Sequence, residues 1–174
     1  YTIQPYSPKA GTGLSSHELN QPGTYQDVSD TTVTAMFKTK KETLPAGLSE
    51  HAEDVFFIAW TTTPWTLPSN TALTVGPKIE YVTVKTYNQY MFEPITIVAA
   101  KELARKQFDK KFKEVESEEE LKAYQEGDKH IPFLIGESYI GKDLVGIQYE
   151  QLLPYTLPFE NPENAFRVIS GDFV

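Results

Sequence analysis

The sequence predicts an α+β domain in which a curved or barrel-like, mostly antiparallel β-sheet carries two inserted helices. Three observations lead to this prediction. Short segments rich in β-branched and aromatic residues recur between residues 31 and 98, and turn-forming residues separate them. Two segments with helical periodicity follow only after residue 99. The length of 174 residues, 40% of them hydrophobic, is sufficient for one buried core.

The first two strands have the clearest patterns. Residues 31–38 alternate with a period of two, as expected for a strand with one buried face. Residues 55–60 are apolar on both faces, which is typical of a central strand that is covered on each side. Pro64 and Pro68 cannot donate ladder hydrogen bonds, so we expect the chain to leave the sheet over residues 61–70. Further strands are predicted over 71–75, 81–87, 90–98, 144–149 and 167–169, with a hairpin turn at Asn88 and Gln89.

Two helices are predicted in the second half of the chain. The first covers residues 100–108, whose apolar side chains share one helical face. The second begins at Ser117, which forms a capping box with Glu120, and ends at Gly127. The glutamates within 114–120 are expected to be exposed at the start of this helix, where the macrodipole favours negative charge.

The domain organisation is predicted from a change in composition near residue 30. Residues 1–30 are rich in Gly, Pro, Ser, Asn and Gln, so we expect an extended linker there and a folded domain over 31–174. Gly11 and Gly13 suggest a phosphate-binding loop, but the Gly-Lys-Ser/Thr sequence of that motif does not follow, so a linker is favoured. Because the chain starts at Tyr1 and stops in GDFV, which reads like the beginning of a strand, we expect it to be a piece of a longer protein.

Composition and charge exclude several classes of function. The net charge of −8 argues against a protein that coats nucleic acid with a basic face, although a pocket for one nucleotide end remains compatible with it. The absence of cysteine excludes disulfides, thiol nucleophiles and thiolate zinc sites. His17, His51 and His130 are far apart and form no HExxH motif, so no metal site is predicted. The longest apolar run is too short to cross a bilayer, and we predict a cytoplasmic protein without membrane partners.

The densest group of candidate functional residues directly follows the strand at 55–60. Hydroxyl and carboxamide groups suit a neutral polar pocket that orients a small ligand or a water. No His or Lys is adjacent, so covalent catalysis is not predicted. Threonine is also a good strand residue and tryptophan a good core residue, but the two prolines favour a site, because a strand that only packed would not need to be broken there. We expect this segment to line the largest polar-rimmed pocket, with Trp60 or Trp65 in its wall. The polar side chains are those of Thr61, Thr62, Thr63, Thr66, Ser69 and Asn70.

Three stretches of the sequence resemble one family. Residues 59–70 (AWTTTPWTLPSN) resemble the threonine-rich peptide of the isoleucyl-tRNA synthetase editing domain. The leucyl and valyl enzymes have Thr-Thr-Arg-Pro followed by Asp or Glu, whereas this chain has Thr63 and Trp65 at those places. Residues 11–33 resemble the segment that leads from the catalytic domain into the editing insertion, and residues 141–149 (GKDLVGIQY) match a G-x-x-L-x-G-x-x-Y element. The resemblance covers nearly the whole chain.

The resemblance implies a proofreading activity on the Val/Leu/Ile-tRNA synthetase editing fold. An apolar pocket discriminates only weakly against an amino acid that is one methylene smaller, so a second site hydrolyses the mischarged product. Isoleucyl enzymes are a standard illustration of this double selection. The implied substrate is valine esterified to the terminal adenosine of isoleucine tRNA, and water is the nucleophile. The implied catalytic residues, which bind the ester and ribose or place the adenosine or water, are Thr61, Thr62, Thr63 and Asn70. The implied substrate-binding residues are Trp60, Trp65, Thr66 and Ser69, with the two tryptophans excluding isoleucine.

The resemblance also sets expectations for partners and for what this chain lacks. It implies the 3′ end of isoleucine tRNA, mischarged valyl-tRNA and the rest of the synthetase as partners, with no DNA, and no cofactor beyond the ATP and magnesium of the parent enzyme. In the family, a Gly-Thr-Gly-x-Val-His-x-Ala-Pro stretch and an aspartate that holds the α-amino group follow the GDFV element. This chain ends at Val174 and also lacks the HIGH and KMSKS motifs, so we expect a truncated editing module that hydrolyses poorly by itself. The alternatives are a β module that binds tRNA or protein without hydrolysis, and a free-standing deacylase.

Overall fold

The computed structural model describes residues 3–108 and 110–174, which separate into one unit up to Thr31 and a second from Thr32 to Val174. In the first unit, β1 (Tyr6–Ser7) and β2 (Thr12–Gly13) pair antiparallel around a turn in which Gly11 has a φ of 69°. A helical turn, α1 (Ser16–Leu19), follows with a complete capping box between Ser15 and Glu18. The interpretation of residues 1–30 as a linker in a longer protein stays a prediction.

The second unit holds the main sheet. Its elements in chain order are β3 (Val33–Lys38), α2 (Ala46–Ser49), β4 (Asp54–Thr61), β5 (Ala72–Val75), β6 (Glu80–Tyr87), β7 (Pro94–Ala100), α3 (Lys101–Ala104), β8 (Phe112–Glu114), α4 (Glu118–Lys122), β9 (Ile131–Ile140) and β10 (Arg167–Ser170). Short 3-10 helices lie at Lys41–Thr43, Pro64–Ser69, Arg105–Gln107, Gly141–Leu144 and Pro162–Asn164.

Six strands form the main sheet in the order β3-β4-β7-β6-β9-β8. The pairs β3–β4, β6–β7 and β6–β9 are antiparallel, whereas β4–β7 and β8–β9 are parallel. The separate pair β5–β10 is parallel. The α+β class and the mostly antiparallel sheet are thus confirmed. In the described part of the chain the sheet stays open, because β3 and β8 are its two edges and do not pair with each other.

Hydrophobic clusters cover both faces of β4, which confirms that it is a central strand. Val55 and Phe57 belong to the first hydrophobic cluster, while Phe56 and Ile58 pack against the second. This division follows from the alternation of side chains along a strand. The first cluster also contains Ala35, Phe37, Leu48, Val75, Tyr81, Val98, Leu144, Ile147, Tyr149 and Val168. The second is built from Val82, Val84, Ile95, Ile97, Ala99, Ala104 and Phe133.

The strand expected at 144–149 is wrong. Leu144 ends a 3-10 helix, and Gly146 has a φ of 94°, a left-handed conformation that interrupts a strand. Its β-pairing within the described residues is limited to isolated bridges, from Tyr149 to Thr39 and from Gln148 to Arg167. Leu144, Ile147 and Tyr149 are buried in the first cluster, whereas Val145 is exposed.

β8 and β9 were not predicted from the sequence, although β9 is the longest strand among the described residues of this unit. Only the first half of β9 is buried, so its sequence lacks a continuous apolar alternation. Gly136 lies opposite a register shift between Val82 and Val84, and a Cβ at this position would lie 2.6 Å from Thr83 Oγ1. The close approach explains a glycine inside a strand.

The hairpin and the helices are confirmed in kind but differ in extent. β6 and β7 pair from Tyr87 and Pro94 onward, so residues 88–93 form a six-residue loop instead of a two-residue turn. The segment expected to be one helix over 100–108 consists of α3 and a 3-10 turn. α4 begins after Ser117, which accepts a hydrogen bond from the Glu120 backbone N–H as expected, but it ends at Lys122. Between β3 and β4, α2 covers only Ala46–Ser49.

The acidic residues at the start of α4 are exposed, as predicted. Glu118 forms ion pairs with Lys85 and Lys122, and hydrogen bonds from these lysines lower its pKa. Arg105 forms a bidentate salt bridge with Glu114, in which Nε and Nη2 donate to the two carboxylate oxygens at 2.8 and 2.7 Å. Within residues 3–108 and 110–174, no helix combines the length and apolar character that crossing a membrane requires.

Candidate functional site

The threonine-rich segment (residues 60–70) begins where β4 leaves the sheet. Thr61 is the last residue of β4 and pairs with Val33 of β3. The 3-10 helix Pro64–Ser69 follows at once, with Pro64 in its first turn and Pro68 inside it. Prolines lack the N–H that sheet pairing needs, so the predicted departure of the chain over 61–70 is confirmed.

Three threonine hydroxyls of this segment are engaged with one another or with the backbone. Thr61 Oγ1 accepts a hydrogen bond from the Thr63 backbone N–H at 3.0 Å and lies 3.2 Å from Thr63 Oγ1. Thr66 Oγ1 donates to the Thr63 carbonyl at 2.8 Å. Thr62 is exposed, and its hydroxyl makes no hydrogen bond to any residue that the structure describes. Thr62 therefore has a hydroxyl that is fully available to a ligand or a water.

Asn70 is held by the chain itself. Its Nδ2 donates to the Ala72 carbonyl at 3.0 Å, and its Oδ1 accepts from the Tyr149 hydroxyl at 2.7 Å. Tyr149 is completely buried, and its ring packs edge-on against Phe37 at 5.2 Å and Phe166 at 6.2 Å. Burial raises the pKa of Tyr149, so the phenol stays protonated at neutral pH and donates this bond.

Tyr149 is the residue near this segment that the sequence analysis missed. The G-x-x-L-x-G-x-x-Y element that ends at Tyr149 was evident, but the pattern gives no sign that the tyrosine contacts the threonine-rich segment. Leu144 of the same element is completely buried, and Gly146 takes the left-handed turn. A Cβ at position 141 would collide with the Gly76 carbonyl. Packing or backbone conformation thus explains the type of residue at each defining position of the element.

The two tryptophans are exposed, with Trp60 at 60% and Trp65 at 67% of full accessibility. Because side chains alternate along β4, Trp60 lies on the same face of the strand as Ile58, and Thr61 lies on the same face as Phe57. Trp60 and Thr61 therefore point to opposite faces of the sheet. Ser69 is also exposed, and it lies in the last turn of the 3-10 helix.

The cavities of the second unit lie elsewhere. One of about 510 Å³ opens where β4 and β7 part, since these strands pair only as far as Phe57 and Val98. Trp60 contributes to its largely apolar wall. Another of about 430 Å³ lies over the second cluster. Among the described residues that line these two cavities, none comes from 61–70.

Residues 61–70 line neither of these two cavities, although Trp60 lines the one of about 510 Å³, so the expectation that the segment lines a polar-rimmed pocket stays a prediction. Its hydroxyls bond one another or the backbone, or face outward, so the segment presents a polar surface. The side chains of residues 60–70 are all uncharged. The arrangement is suited to hydrogen bonding with a ligand or a water, and it offers no acid or base of its own. The individual roles assigned to these residues stay predictions.

The three histidines have separate surroundings. The His17 ring lies 2.9 Å from the Gln21 amide, His51 Nδ1 lies 3.7 Å from Glu53, and His130 Nδ1 lies 3.1 Å from the Lys110 carbonyl. In the part of the chain that the structure describes, no group of three His, Cys, Asp or Glu side chains is placed to hold a metal ion.

Similarity to known proteins covers the whole chain. No protein-family model matches it. The chain is 60% identical over 174 residues to an isoleucine–tRNA ligase of Cytophaga hutchinsonii, 57% to one of Bacteroides fragilis and 38% to one of Thermoplasma volcanium. Each match includes all of this chain but only 13 or 14% of the relative. A solved structure described as the crystal structure of GlLeuRS-CP1 aligns with a TM-score of 0.48 at 14% identity, over 82% of this chain and 49% of that one.

From end to end, the chain is homologous to one segment of the aminoacyl-tRNA ligases. The ligases it matches are the isoleucine–tRNA ligases, and it spans 14% of the length of the first of these relatives.

Proposed function

We propose that this chain is the editing segment of an isoleucine–tRNA ligase and hydrolyses valine that has been mischarged onto isoleucine tRNA. The observation that carries the proposal is the threonine-rich segment. In a chain 60% identical to an isoleucine–tRNA ligase, three consecutive threonines begin at the last residue of a central strand, and the exposed hydroxyl of Thr62 bonds no residue that the structure describes. The sequence of this segment resembles the threonine-rich editing peptide.

The reaction is hydrolysis of an ester. A water oxygen attacks the carbonyl carbon, the bond from that carbon to the ribose oxygen breaks, and the ribose oxygen takes up a proton. The products are valine and a tRNA with a free terminal hydroxyl. The segment has no charged side chain, so its contribution is to orient the water and the ester and to stabilise developing charge through hydrogen bonds. Thr62 is the proposed donor, and the Thr61–Thr63 pair is proposed to bind the ribose or the ester.

The proposal includes the partners and the setting of the longer enzyme. The net charge of −8 is compatible with contact to the 3′ end of the tRNA and unfavourable for contact along its backbone. ATP and magnesium are proposed to serve aminoacylation elsewhere in the ligase, while hydrolysis uses water alone. We place the reaction in the cytoplasm, beside the rest of the synthetase.

The test uses a full-length ligase in which this chain replaces the matching segment of the Cytophaga hutchinsonii enzyme. Release of valine from valyl-tRNA(Ile) is measured for the parent chimera and for Thr62→Val, which removes the hydroxyl and keeps the shape. The loss of one aimed donor should slow release about 100-fold. Thr34→Val is the matched control, because Thr34 is an exposed strand threonine that pairs with Trp60. It should change the rate less than about twofold.

Two results would contradict the proposal. If Thr62→Val releases valine as fast as the parent chimera, Thr62 is not the donor and the proposed mechanism is wrong. If the parent chimera binds valyl-tRNA(Ile) and does not hydrolyse it, the alternative of a non-catalytic binding module is correct.

A further inference from the structure

We infer that Tyr149 is a positioning residue of the proposed hydrolytic site, because its hydroxyl fixes the carboxamide of Asn70 and with it the end of the threonine-rich segment. This inference rests on the proposed function. In this inference Asn70 orders the threonine-rich segment. The resemblance implied a different role for Asn70, which was to bind the adenosine or the water directly.

The hydrogen bonds around Asn70 leave one consistent orientation. A backbone carbonyl only accepts, so the Ala72 oxygen at 3.0 Å requires the amide nitrogen of Asn70 to face it. The amide oxygen then faces Tyr149, and the phenol must donate the bond of 2.7 Å, a normal length for O–H···O. The Ala72 carbonyl therefore sets which way round the amide lies, and the bond from Tyr149 holds the amide oxygen in that place. One amide N–H and one lone pair of Asn70 remain for other partners.

Tyr149 is suited to this role because it is immobile. It has no solvent exposure, two aromatic rings pack edge-on against it, and its backbone N–H donates to the Phe166 carbonyl at 2.9 Å. The segment that it holds is mostly exposed, and its largest element is a six-residue 3-10 helix. The bond between Tyr149 and Asn70 thus joins a rigid core to a surface segment across 79 positions of sequence.

Other contacts fix the segment less specifically. Leu67 packs against the first cluster, and the Phe166 N–H donates to the Thr71 carbonyl at 2.7 Å. These contacts place the backbone after Pro64, but they do not orient the Asn70 amide. Loss of the Tyr149 hydroxyl should therefore leave the fold intact and disturb the alignment of the segment.

The kinetic test compares Tyr149→Phe with Tyr81→Phe in the ligase chimera described above. Tyr81 is a matched control because it is buried in the same cluster and its hydroxyl accepts a bond from the Gly76 N–H at 3.1 Å. Tyr149→Phe should lower kcat for valine release about 10- to 100-fold, the scale expected for misalignment, and change KM less than about threefold. Tyr81→Phe should leave kcat within about twofold. Equal losses in the two variants would show a general stability effect and overturn the inference.

A double-mutant cycle tests whether Tyr149 acts through its partner. If it does, Tyr149→Phe should have no further effect on kcat once Asn70→Ala is present. Multiplicative losses in the double variant would overturn the inference, because two independent roles would then be required.

A spectroscopic readout separates this inference from the proposed function. Trp60 and Trp65 are the two tryptophans of the chain, so in the 174-residue chain Trp60→Phe leaves Trp65 as a single fluorescent reporter inside the segment. Adding Tyr149→Phe should lower the fluorescence anisotropy of Trp65, while adding Tyr81→Phe should not. Unchanged anisotropy with Tyr149→Phe would refute the ordering role even if the ligase hydrolyses valyl-tRNA(Ile). Lowered anisotropy in the 174-residue chain, together with a chimera that fails to hydrolyse valyl-tRNA(Ile), would refute the proposed function and retain the ordering role.

Discussion

Leu144→Ala should destabilise the chain far more than a typical leucine truncation on its surface. Leu144 has no solvent exposure and belongs to the first cluster, although the chain there is a 3-10 helix and not a strand. The substitution removes three carbons, which costs about 2 kcal/mol in transfer free energy at roughly 0.8 kcal/mol each. The surrounding strands and aromatic rings restrict collapse, so a cavity cost is added. The expected loss of unfolding free energy is about 3–4 kcal/mol.

The measurement is urea unfolding followed by far-UV circular dichroism, with Leu103→Ala as the control. Leu103 lies on α3 and is 49% exposed, so its truncation should cost about 1 kcal/mol. For a chain of this size, the Leu144 variant should also melt roughly 6–16 °C lower. If Leu144→Ala costs no more than Leu103→Ala, Leu144 does not form part of the core and the packing described here is wrong.

Two further predictions concern charged residues. Glu118→Gln combined with Glu119→Gln should change the rate of valine release by the chimera less than about twofold, since both side chains are exposed on α4; a tenfold loss would place α4 in the site. Burial alone would raise the pKa of Glu53, but a 2.8 Å hydrogen bond from Thr96 and the nearby His51 hold it below the ordinary value. A carboxyl whose pKa is lowered by folding stabilises the fold at pH values above its unfolded pKa, and this stabilisation is lost as the pH falls through its folded pKa. Glu53→Gln should therefore reduce the free energy of unfolding more at pH 7 than at pH 3, as measured by urea titration. An equal cost at both pH values would show that the charge of Glu53 does not matter.

The elements that were predicted correctly have strong local signals. β3 alternates, β4 is apolar on both faces, and Pro64 and Pro68 end it where expected. Each signal depends on residues within a few positions of one another, so it is visible without the rest of the fold. β9 was not predicted because its second half is exposed. Its Gly136 lies opposite a register shift in β6, a strand about 50 positions earlier, which no local pattern reveals.

The candidate segment was also recognised locally, but its geometry was not. The run of threonines and prolines marked residues 60–70 as unusual. Whether the hydroxyls would line a cavity depended on elements that no local pattern describes. In the structure, Thr61 and Thr63 satisfy each other and Thr62 faces outward, while the cavities lie beside β7 and over the second cluster.

Local sequence signals were sufficient to identify most of the strands, the end of β4 and the resemblance to one family of ligases. The tertiary structure decided that β4 and β7 run parallel, that the sheet stays open, and that Tyr149 reaches Asn70. The physical reason is the range of the interactions. Periodicity and chain-breaking residues act over one or two turns of chain, whereas the partner of a buried hydroxyl is chosen only when distant segments collapse onto the same core.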